Sequence, residues 1–314
     1  MIKFNKKIIQ APLAGYSCAP FRKIAWQWGQ PDFCYTEMLS AKNIYLKVPI
    51  KKRYFFRDPV EGPLCVQLAG NEAEILAFAA EKIIEWGADL IDLNCGCPVP
   101  KIRKKKYGSK LLADSKHLYK LIRAIKTVVK IPVLIKIRVD GLSRDQFNCE
   151  VAKAIEDAEA DAVTVHGRHW TEGYEIPVSY QDIAEIKQTI SIPVIGNGDV
   201  SDTFSAKKMF LQTGCDALMI ARASVGQPWI FEQIHQELQG RTFTKPTLVE
   251  IGDIFLFHIK ELTMLEGESS SLLQARKLAK YYARGQVDND FLSQVVTIGS
   301  YQELQEIVKR FFII

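Results

Sequence analysis

The feature that most constrains the fold is a regular alternation of short apolar runs and amphipathic helix patterns along most of the chain. Eight of these runs have the length and composition of buried parallel strands, and most are followed by a segment with helical periodicity. The runs are 8–12, 33–37, 64–68, 90–94, 133–137, 162–166, 194–197 and 217–220. Eight strand–helix units over about 240 residues match the size of a (β/α)8 TIM barrel, an α/β fold. We therefore predict that fold.

The structural alternative is a doubly wound parallel sheet of eight strands. Such a sheet normally carries a Gly-rich turn after its first strand. Here that place holds Ala-Pro-Leu-Ala-Gly at 11–15, which is not a G-x-G-x-x-G sequence. The absence of this turn favours the barrel.

Beyond Gly240 the pattern changes to helical periods alone, at 248–265, 270–284 and 301–311. We predict a barrel domain over residues 1–240 and a smaller, all-helical domain over residues 243–314. Basic residues recur at helical spacing in the second of these helices, at Arg276, Lys277, Lys280 and Arg284. They form either a positive stripe for a polyanion or an ordinary solvated helix face.

Composition narrows the classes of function. The 314 residues are 47% hydrophobic with a net charge of +5, which permits a nucleic-acid partner without requiring one. Seven scattered cysteines lack the spacing of disulfides or metal ligands, so we expect reduced thiols and no metal. No run is long enough to span a membrane and no signal peptide is evident. A cytoplasmic protein is therefore expected. We also expect a monomer.

Polar or small residues follow the strands at the ends that meet on one face of a barrel. Because barrel enzymes place their sites on this face, these residues form the candidate site. They are Pro12, Leu13, Ala14, Glu37, Gln67, Asn94, Cys97, Lys136, Arg138, His166, Arg168, Asn197, Gly198, Asp199, Ala221 and Arg222.

Three of these positions carry a specific chemical argument. Cys97 puts a thiol beside the basic run 101–106, which suggests proton chemistry on a polyanion; a small buried thiol next to a solvated loop is the alternative. Lys136 lies inside an apolar strand, where an unpaired ammonium is costly, so it must meet a ligand or a partner such as Glu37. His166 is either a site residue or a satisfied core histidine.

The loops after the last two strands indicate a phosphate site. Gly198 allows close backbone approach, and Arg222 offers a charge-assisted hydrogen bond. Barrels commonly bind phosphate at this place.

Taken in order, these pieces resemble the dihydrouridine synthases, flavoenzymes of tRNA modification, and most closely their bacterial B-type branch. The resemblance covers nearly the whole chain. Its pieces are Ala-Pro-Leu-Ala-Gly at 11–15, Thr-Glu-Met at 36–38, Val-Gln-Leu-Ala-Gly at 66–70, Asn-x-Gly-Cys-Pro at 94–98, Lys-Ile-Arg at 136–138, His-Gly-Arg at 166–168, Ile-Pro-Val-Ile-Gly-Asn-Gly-Asp at 192–199 and Asp-Ala-Leu-Met-Ile-Ala-Arg-Ala at 216–223.

The resemblance implies FMN at the carboxyl face of the barrel, with NADPH as the reductant. It assigns the flavin ring to residues near the first strands and its phosphate to those near the last. The implied cofactor-binding residues are Pro12, Leu13, Ala14, Gln67, Asn94, Lys136, His166, Asn197, Gly198, Asp199, Ala221 and Arg222.

The implied reaction reduces the C5–C6 double bond of uridines in tRNA. Hydride passes from FMN N5 to C6, and Cys97 donates the proton to C5; an ordinary thiol, with a pKa of about 8.5, is protonated at neutral pH. The base must leave its stack to reach the pocket. The residues expected to contact tRNA are Lys101, Arg103, Lys104, Lys105, Arg138, Arg168, Arg276, Lys277 and Lys280.

Three positions depart from the family pattern. Cys95 stands where relatives carry Met or another apolar residue, and we expect it to be a volume substitute. Ala221 replaces a usual Gly, which matters if the backbone there needs a positive φ. Leu278 stands where relatives often carry His.

Two other functions stay open at this point. One is an FMN barrel that acts on a free pyrimidine, of the dihydroorotate dehydrogenase kind, which needs neither the basic loop nor a positive helical domain. The other is a non-catalytic RNA-binding barrel, which predicts no bound flavin. The sequence does not indicate which uridine of tRNA would be reduced.

Overall fold

The computed structural model of the chain describes residues 2–139 and 147–312. Within these ranges nine parallel strands form one sheet. They are β1 (Ile8–Gln10), β2 (Cys34–Tyr35), β3 (Leu39–Ser40), β4 (Leu64–Ala69), β5 (Leu90–Cys95), β6 (Val133–Arg138), β7 (Ala162–His166), β8 (Val194–Asn197) and β9 (Ala217–Ile220).

The sheet closes on itself because β2 pairs with both β1 and β4, while β9 returns to β1. β3 pairs with the carboxyl end of β4, Leu39 opposite Leu68, beyond the β2 pairing of Cys34 with Leu64. β2 and β3 are therefore two pieces of one barrel strand, interrupted at 36–38. The ring has eight strand positions, which confirms the predicted barrel, whereas the continuous second strand predicted at 33–37 is wrong.

Helices pack around the barrel and connect its strands. They are α1 (Ala19–Trp28), α2 (Ala41–Tyr45), α3 (Lys52–Phe55), α4 (Ala73–Glu85), α5 (Pro100–Lys104), α6 (Ser115–Val128), α7 (Phe147–Asp157), α8 (Tyr180–Thr189), α9 (Thr203–Thr213) and α10 (Ile230–Leu238), with 3-10 turns at Gly108–Ala113 and Arg222–Ser224. The helical period that follows the 133–137 run begins near residue 144, and this predicted helix start lies outside the described residues.

One prediction joined two elements that the structure separates. The helical period over 109–129 predicts one helix, whereas the structure forms a 3-10 turn followed by α6. The break falls at Asp114, whose carboxylate accepts a hydrogen bond from the backbone N–H of His117 at 2.9 Å and so caps the start of α6.

Strand alternation explains why polar residues face the mouth of the barrel. Successive side chains of a strand point to opposite faces. Residues such as Cys65, Leu134 and Ile195 pack inside the barrel, and their neighbours in the strand pack against the helices. Two residues further along these strands come Gln67, Lys136 and Asn197. The interior of the barrel is therefore apolar in the middle of the strands and polar at their carboxyl ends.

The C-terminal region is helical, with α11 (Leu248–Glu266), α12 (Glu268–Ala283), α13 (Asn289–Thr297) and α14 (Tyr301–Phe312). Three of these helices were predicted, and α13 was not. The apolar core of this region also includes Phe21 and Ile24 from α1, and Trp229 from the segment after β9. The core of the helical region therefore extends onto α1 and the segment after β9, and it is separate from the clusters that fill and surround the barrel. Among the described residues, no helix combines the length and apolarity that crossing a membrane requires.

Candidate active site

The carboxyl ends of the barrel strands surround a cavity of about 750 Å³. Every residue predicted to bind the cofactor lines this cavity, and so do Cys97 and Arg138. The structure thus brings together residues that are up to about 200 positions apart in the chain, as expected when parallel strands end on one face.

A chain of hydrogen bonds runs from a buried acid to the backbone of Cys97. The Gln67 amide nitrogen donates to Asp92 Oδ2 at 2.8 Å, and the Asn94 amide nitrogen donates to Gln67 Oε1 at 2.8 Å. Asn94 Oδ1 in turn accepts from the backbone N–H of Cys97 at 2.9 Å. Because each amide is both donor and acceptor, the acid dictates the orientation of the next two side chains.

Asp92 and Lys136 are ionisable groups on neighbouring strands inside the barrel. Burial raises the pKa of Asp92, against the opposing effects of the Gln67 hydrogen bond and the Lys136 charge. Burial likewise lowers the pKa of Lys136, although the Asp92 charge opposes this. The Lys136 ammonium donates to Asn197 Oδ1 at 2.9 Å, and its remaining donors are available to a ligand in the cavity.

The alternative pairing of Lys136 with Glu37 is not present. Glu37 accepts from the backbone N–H of Gly15 at 2.6 Å and from Arg53 at 2.7 Å. Its side chain therefore supports the loop after β1. This arrangement leaves Lys136 directed to the cavity.

His166 lies in the cavity wall among cations. Burial lowers its pKa, the charges of Lys136, Arg138 and Arg168 act in the same direction, and together these effects bring it to about 2. The imidazole is therefore neutral at physiological pH. Its Nε2 lies 3.3 Å from Arg168 Nη1, so a neutral ring can accept a hydrogen bond there.

The loops after β8 and β9 form the basic end of the cavity. Gly198 has a φ of +116°, and a Cβ there would lie 2.4 Å from Val178 Cγ1, so glycine is required. Asp199 lies 3.5 Å from the Arg222 guanidinium, whose side chain is half-exposed. The Tyr174 ring covers that guanidinium at 3.8 Å. Ala221 has a φ of −109°, so the positive φ that would favour the glycine of the family pattern is absent here.

Cys97 lies on the rim of the cavity and is partly exposed. Burial raises the pKa of its thiol, and the Arg138 charge opposes this effect. The Cys97 carbonyl accepts hydrogen bonds from the backbone N–H and the hydroxyl of Ser109, both at 3.1 Å. Gly108, with a φ of +61°, packs so closely that a Cβ would lie 2.6 Å from this carbonyl oxygen. Cys95, by contrast, is fully buried.

The residues predicted to contact tRNA fall into three environments. Lys101, Lys104 and Lys105 are exposed in and beside α5, and Arg276 and Lys280 are exposed on α12. Arg103 stacks on the Trp170 ring at 3.4 Å, and Lys277 stacks on the Tyr16 ring at 3.4 Å. Both of these cations are therefore partly engaged within the protein.

The structure does not bring Arg138 and Arg168 to the outer surface. Arg138 is buried and donates to the His169 carbonyl at 2.8 Å, while also lining the cavity. Arg168 is 1% exposed and donates to Asp199 at 2.6 Å and to the carbonyl of Tyr174. This placement favours a role for Arg168 in holding the loop, and it disfavours direct contact with a polyanion.

Several residues of the site were not predicted as such from the sequence. Tyr16, Tyr174 and Tyr281 line the cavity although nothing in their local patterns marks them, and Arg284, which also lines it, was identified only as one of the basic residues at helical spacing in 276–284. Asp92 carried a signal, a charged residue inside the apolar run 90–94, which is the same signal that identified Lys136. Within 2–139 and 147–312, no three or more His, Cys, Asp or Glu side chains are grouped as metal ligands would be.

Comparisons with known sequences point to one family. A family model described as "Dihydrouridine synthase (Dus)" matches residues 9–311. The chain is 35% identical over 284 residues to tRNA-dihydrouridine synthase B of Vibrio vulnificus, covering 90% of this chain and 88% of that protein. It is 38% identical over 279 residues to tRNA-dihydrouridine synthase B of Pseudomonas aeruginosa, covering 88% and 83% respectively.

Comparisons with solved structures agree on the fold. The old yellow enzyme homologue from Zymomonas mobilis aligns with a TM-score of 0.53 at 13% identity, over 78% of this chain and 93% of that one. The histamine dehydrogenase from Rhizobium sp. 4-9 aligns with a TM-score of 0.56 at 15% identity, over 81% of this chain and 48% of that one. At such identities the likeness extends to the fold alone, and it is the sequence matches over nearly the whole length that show the chain to be a member of the dihydrouridine synthase family.

Proposed function

We propose that this protein is an FMN-dependent tRNA-dihydrouridine synthase that uses NADPH to reduce the C5–C6 double bond of uridines in tRNA. The observation that carries the proposal is the composition of the cavity, where Lys136, Gln67 and Arg222 line the wall and Cys97 lies on the rim. Membership of the family and the names of the relatives support the same reaction. We place the enzyme in the cytoplasm as a monomer.

The side chains of the cavity suit the two ends of FMN. Lys136 and Gln67 offer donors to the polar edge of a flavin ring, and Pro12 and Ala14 offer it an apolar wall. Arg222, at the opposite strands of the barrel, offers the charge that a phosphate needs. When bound there, FMN would supply the hydride that adds to C6 of the uracil ring.

The chain's own contribution to the chemistry is the position and protonation of one thiol. Because burial raises the pKa of Cys97, the thiol holds its proton at neutral pH and can act as a general acid toward C5. Asn94 and Ser109 hold the Cys97 backbone from both sides. The nearby Arg138 charge favours the thiolate left after proton transfer.

The substrate follows from the charges around the mouth. The exposed lysines of and beside α5, Lys101, Lys104 and Lys105, lie just after the Cys97 turn. Such a surface binds phosphates and releases their counterions. We infer that tRNA lies across α5 and α12, with one uridine turned out of its stack into the cavity.

The test compares substrates. The purified protein, supplied with FMN and with NADPH or NADH, is incubated with an unmodified tRNA transcript, with free uridine and with orotate. The proposal expects dihydrouridine in tRNA, detected by mass spectrometry after nuclease digestion, and faster turnover with NADPH. Reduction of a free pyrimidine without reduction of tRNA would instead favour the dihydroorotate dehydrogenase kind of enzyme. Protein that binds RNA but retains no flavin would favour a non-catalytic barrel.

A further inference from the structure

We propose that the helical C-terminal region completes the cofactor site, because α12 and the residue after it hold two of the barrel loops that line the cavity. Arg284 positions the turn that carries Arg222, and Lys277 positions the loop after β1. This inference rests on the proposed function, since it takes FMN as the ligand of the cavity. It adds a structural role in cofactor binding to a region otherwise proposed to bind tRNA.

The first contact joins Arg284 to the 3-10 turn Arg222–Ser224. Its Nη2 donates to the backbone carbonyls of Ala223 at 3.0 Å and Val225 at 2.5 Å. Its Nε donates to the Tyr281 carbonyl at 3.0 Å, which ties the guanidinium to the end of α12. A cation that binds carbonyls on both elements fixes the distance between them.

A second, independent contact lies beside the first. Gly226 has a φ of +75°, and a Cβ there would lie 2.4 Å from the carbonyl carbon and oxygen of Tyr281. The backbone after β9 and the backbone of α12 therefore meet without an intervening side chain. Together, Arg284 and Gly226 place the turn that presents Arg222, the only cation we assign to the phosphate of FMN.

The third contact reaches the opposite side of the cavity. The Lys277 ammonium donates to the Gly15 carbonyl at 3.1 Å and lies 3.4 Å from the centre of the Tyr16 ring. The Tyr16 hydroxyl lies 3.3 Å from the Tyr281 hydroxyl. This loop also contains Pro12 and Ala14, which we assign to the flavin ring. One helix thus holds a loop at each end of the proposed cofactor.

The basic side chains of α12 differ in their exposure, and we assign them different roles for that reason. Lys277 is partly buried and turned to the barrel, whereas Arg276 and Lys280 are exposed. The same helix can therefore hold the flavin loops on one face and meet tRNA on the other. The structure thereby separates Lys277 from the group of residues predicted to contact tRNA.

The experiment measures the affinity of the full-length protein for FMN and for riboflavin, which lacks the phosphate. Flavin fluorescence quenching reports binding without any need for activity. For Arg284→Met we expect the FMN Kd to rise about tenfold and the riboflavin Kd to change less than about twofold. Arg284→Lys keeps one donor and should fall between. A general defect in folding would reduce the affinity for FMN and for riboflavin by the same factor.

Lys277→Met should weaken the binding of FMN and of riboflavin by similar factors, because the loop that it holds faces the ring and not the phosphate. The urea midpoint of the flavin-free variant should equal that of the wild type, which separates this outcome from a defect in folding. The matched control is Lys280→Met, which removes a neighbouring exposed cation and should leave both flavin affinities unchanged. Equal FMN affinity in the wild type, Arg284→Met and Lys277→Met would overturn the inference, and so would equal losses of both ligands in Arg284→Met. Wild-type protein that binds neither flavin would instead contradict the proposed function.

Discussion

Replacing Asp92 by leucine should slow the reduction of uridine in tRNA although Asp92 does not line the cavity. Asp92 is fully buried and accepts the Gln67 amide N–H at 2.8 Å. Leucine has the same branched shape, with methyl groups in place of the carboxylate oxygens, but no acceptor. The Gln67 amide then loses the partner that sets its orientation, and the orientation of Asn94 is lost with it.

The size of the effect follows from the hydrogen bonds that are lost. A buried amide N–H without an acceptor costs about 1–3 kcal/mol, so Gln67 is driven to rotate or move. Rotation would set its NH₂ group against that of Asn94, which breaks the second bond of 2.8 Å and frees Asn94 from the Cys97 N–H. An error of about 1 Å in the place of a reacting group costs about 100-fold in rate. We therefore expect a loss of between about tenfold and 100-fold in the single-turnover rate of tRNA reduction.

The assay measures single-turnover reduction of a tRNA transcript, with FMN affinity measured in parallel. Asp92→Asn is the matched control, because its amide oxygen can still accept from Gln67 and should keep most of the rate. The reasoning is refuted if Asp92→Leu reduces tRNA as fast as the wild type does. It is equally refuted if Asp92→Asn is as slow as Asp92→Leu while both variants remain folded.

Two further predictions concern stability. Gly108→Ala should lower the free energy of unfolding by about 2–4 kcal/mol, because the residue has a positive φ and its new Cβ would clash with the carbonyl oxygen of Cys97. Gly87→Ala is the comparison: its φ is +88°, but the space around its Cβ is open, so the loss should be only about 1–2 kcal/mol. Urea titration of both variants measures the difference, and equal costs would contradict the close packing at Cys97. Burial lowers the pKa of His258 to about 3, below its ordinary value of about 6.5, so its contribution to stability is present above about pH 6.5 and is lost as the pH falls. Between about pH 7 and pH 5 the loss should be about 2 kcal/mol, and His258→Gln should remove it; identical pH dependence in the variant would contradict this.

The barrel was predictable because its strands carry a strong local signal. Runs such as 133–137 and 217–220 are almost wholly apolar, and the structure buries them between the interior and the helices. The prediction of a continuous second strand failed because the interruption at 36–38 is caused by tertiary contacts. Glu37 leaves the sheet to bind the Gly15 N–H and Arg53, and no local pattern encodes those partners.

The sequence allowed us to predict which residues follow the strands and face the site, but not the contacts that these residues make with one another. Lys136 was identified from the cost of burying an ammonium, but its partner was not, because Asn197 lies 61 positions further along the chain. Arg168 was grouped with the surface cations, since the sequence does not show that its guanidinium turns inward to Asp199. The contacts of Arg284 with the turn after β9 join two regions whose packing the sequence does not specify.

The central claim is that the thiol of Cys97 gives up a proton to a pyrimidine held in the barrel cavity. The most direct test is a stopped-flow comparison of wild-type protein and Cys97→Ala, each loaded with FMN. The account predicts that NADPH bleaches the flavin absorption band at similar rates in both proteins. Subsequent addition of tRNA should restore the band rapidly in the wild type and at least about 100-fold more slowly in the variant. Equal rates of restoration, with equal yields of dihydrouridine, would contradict the account.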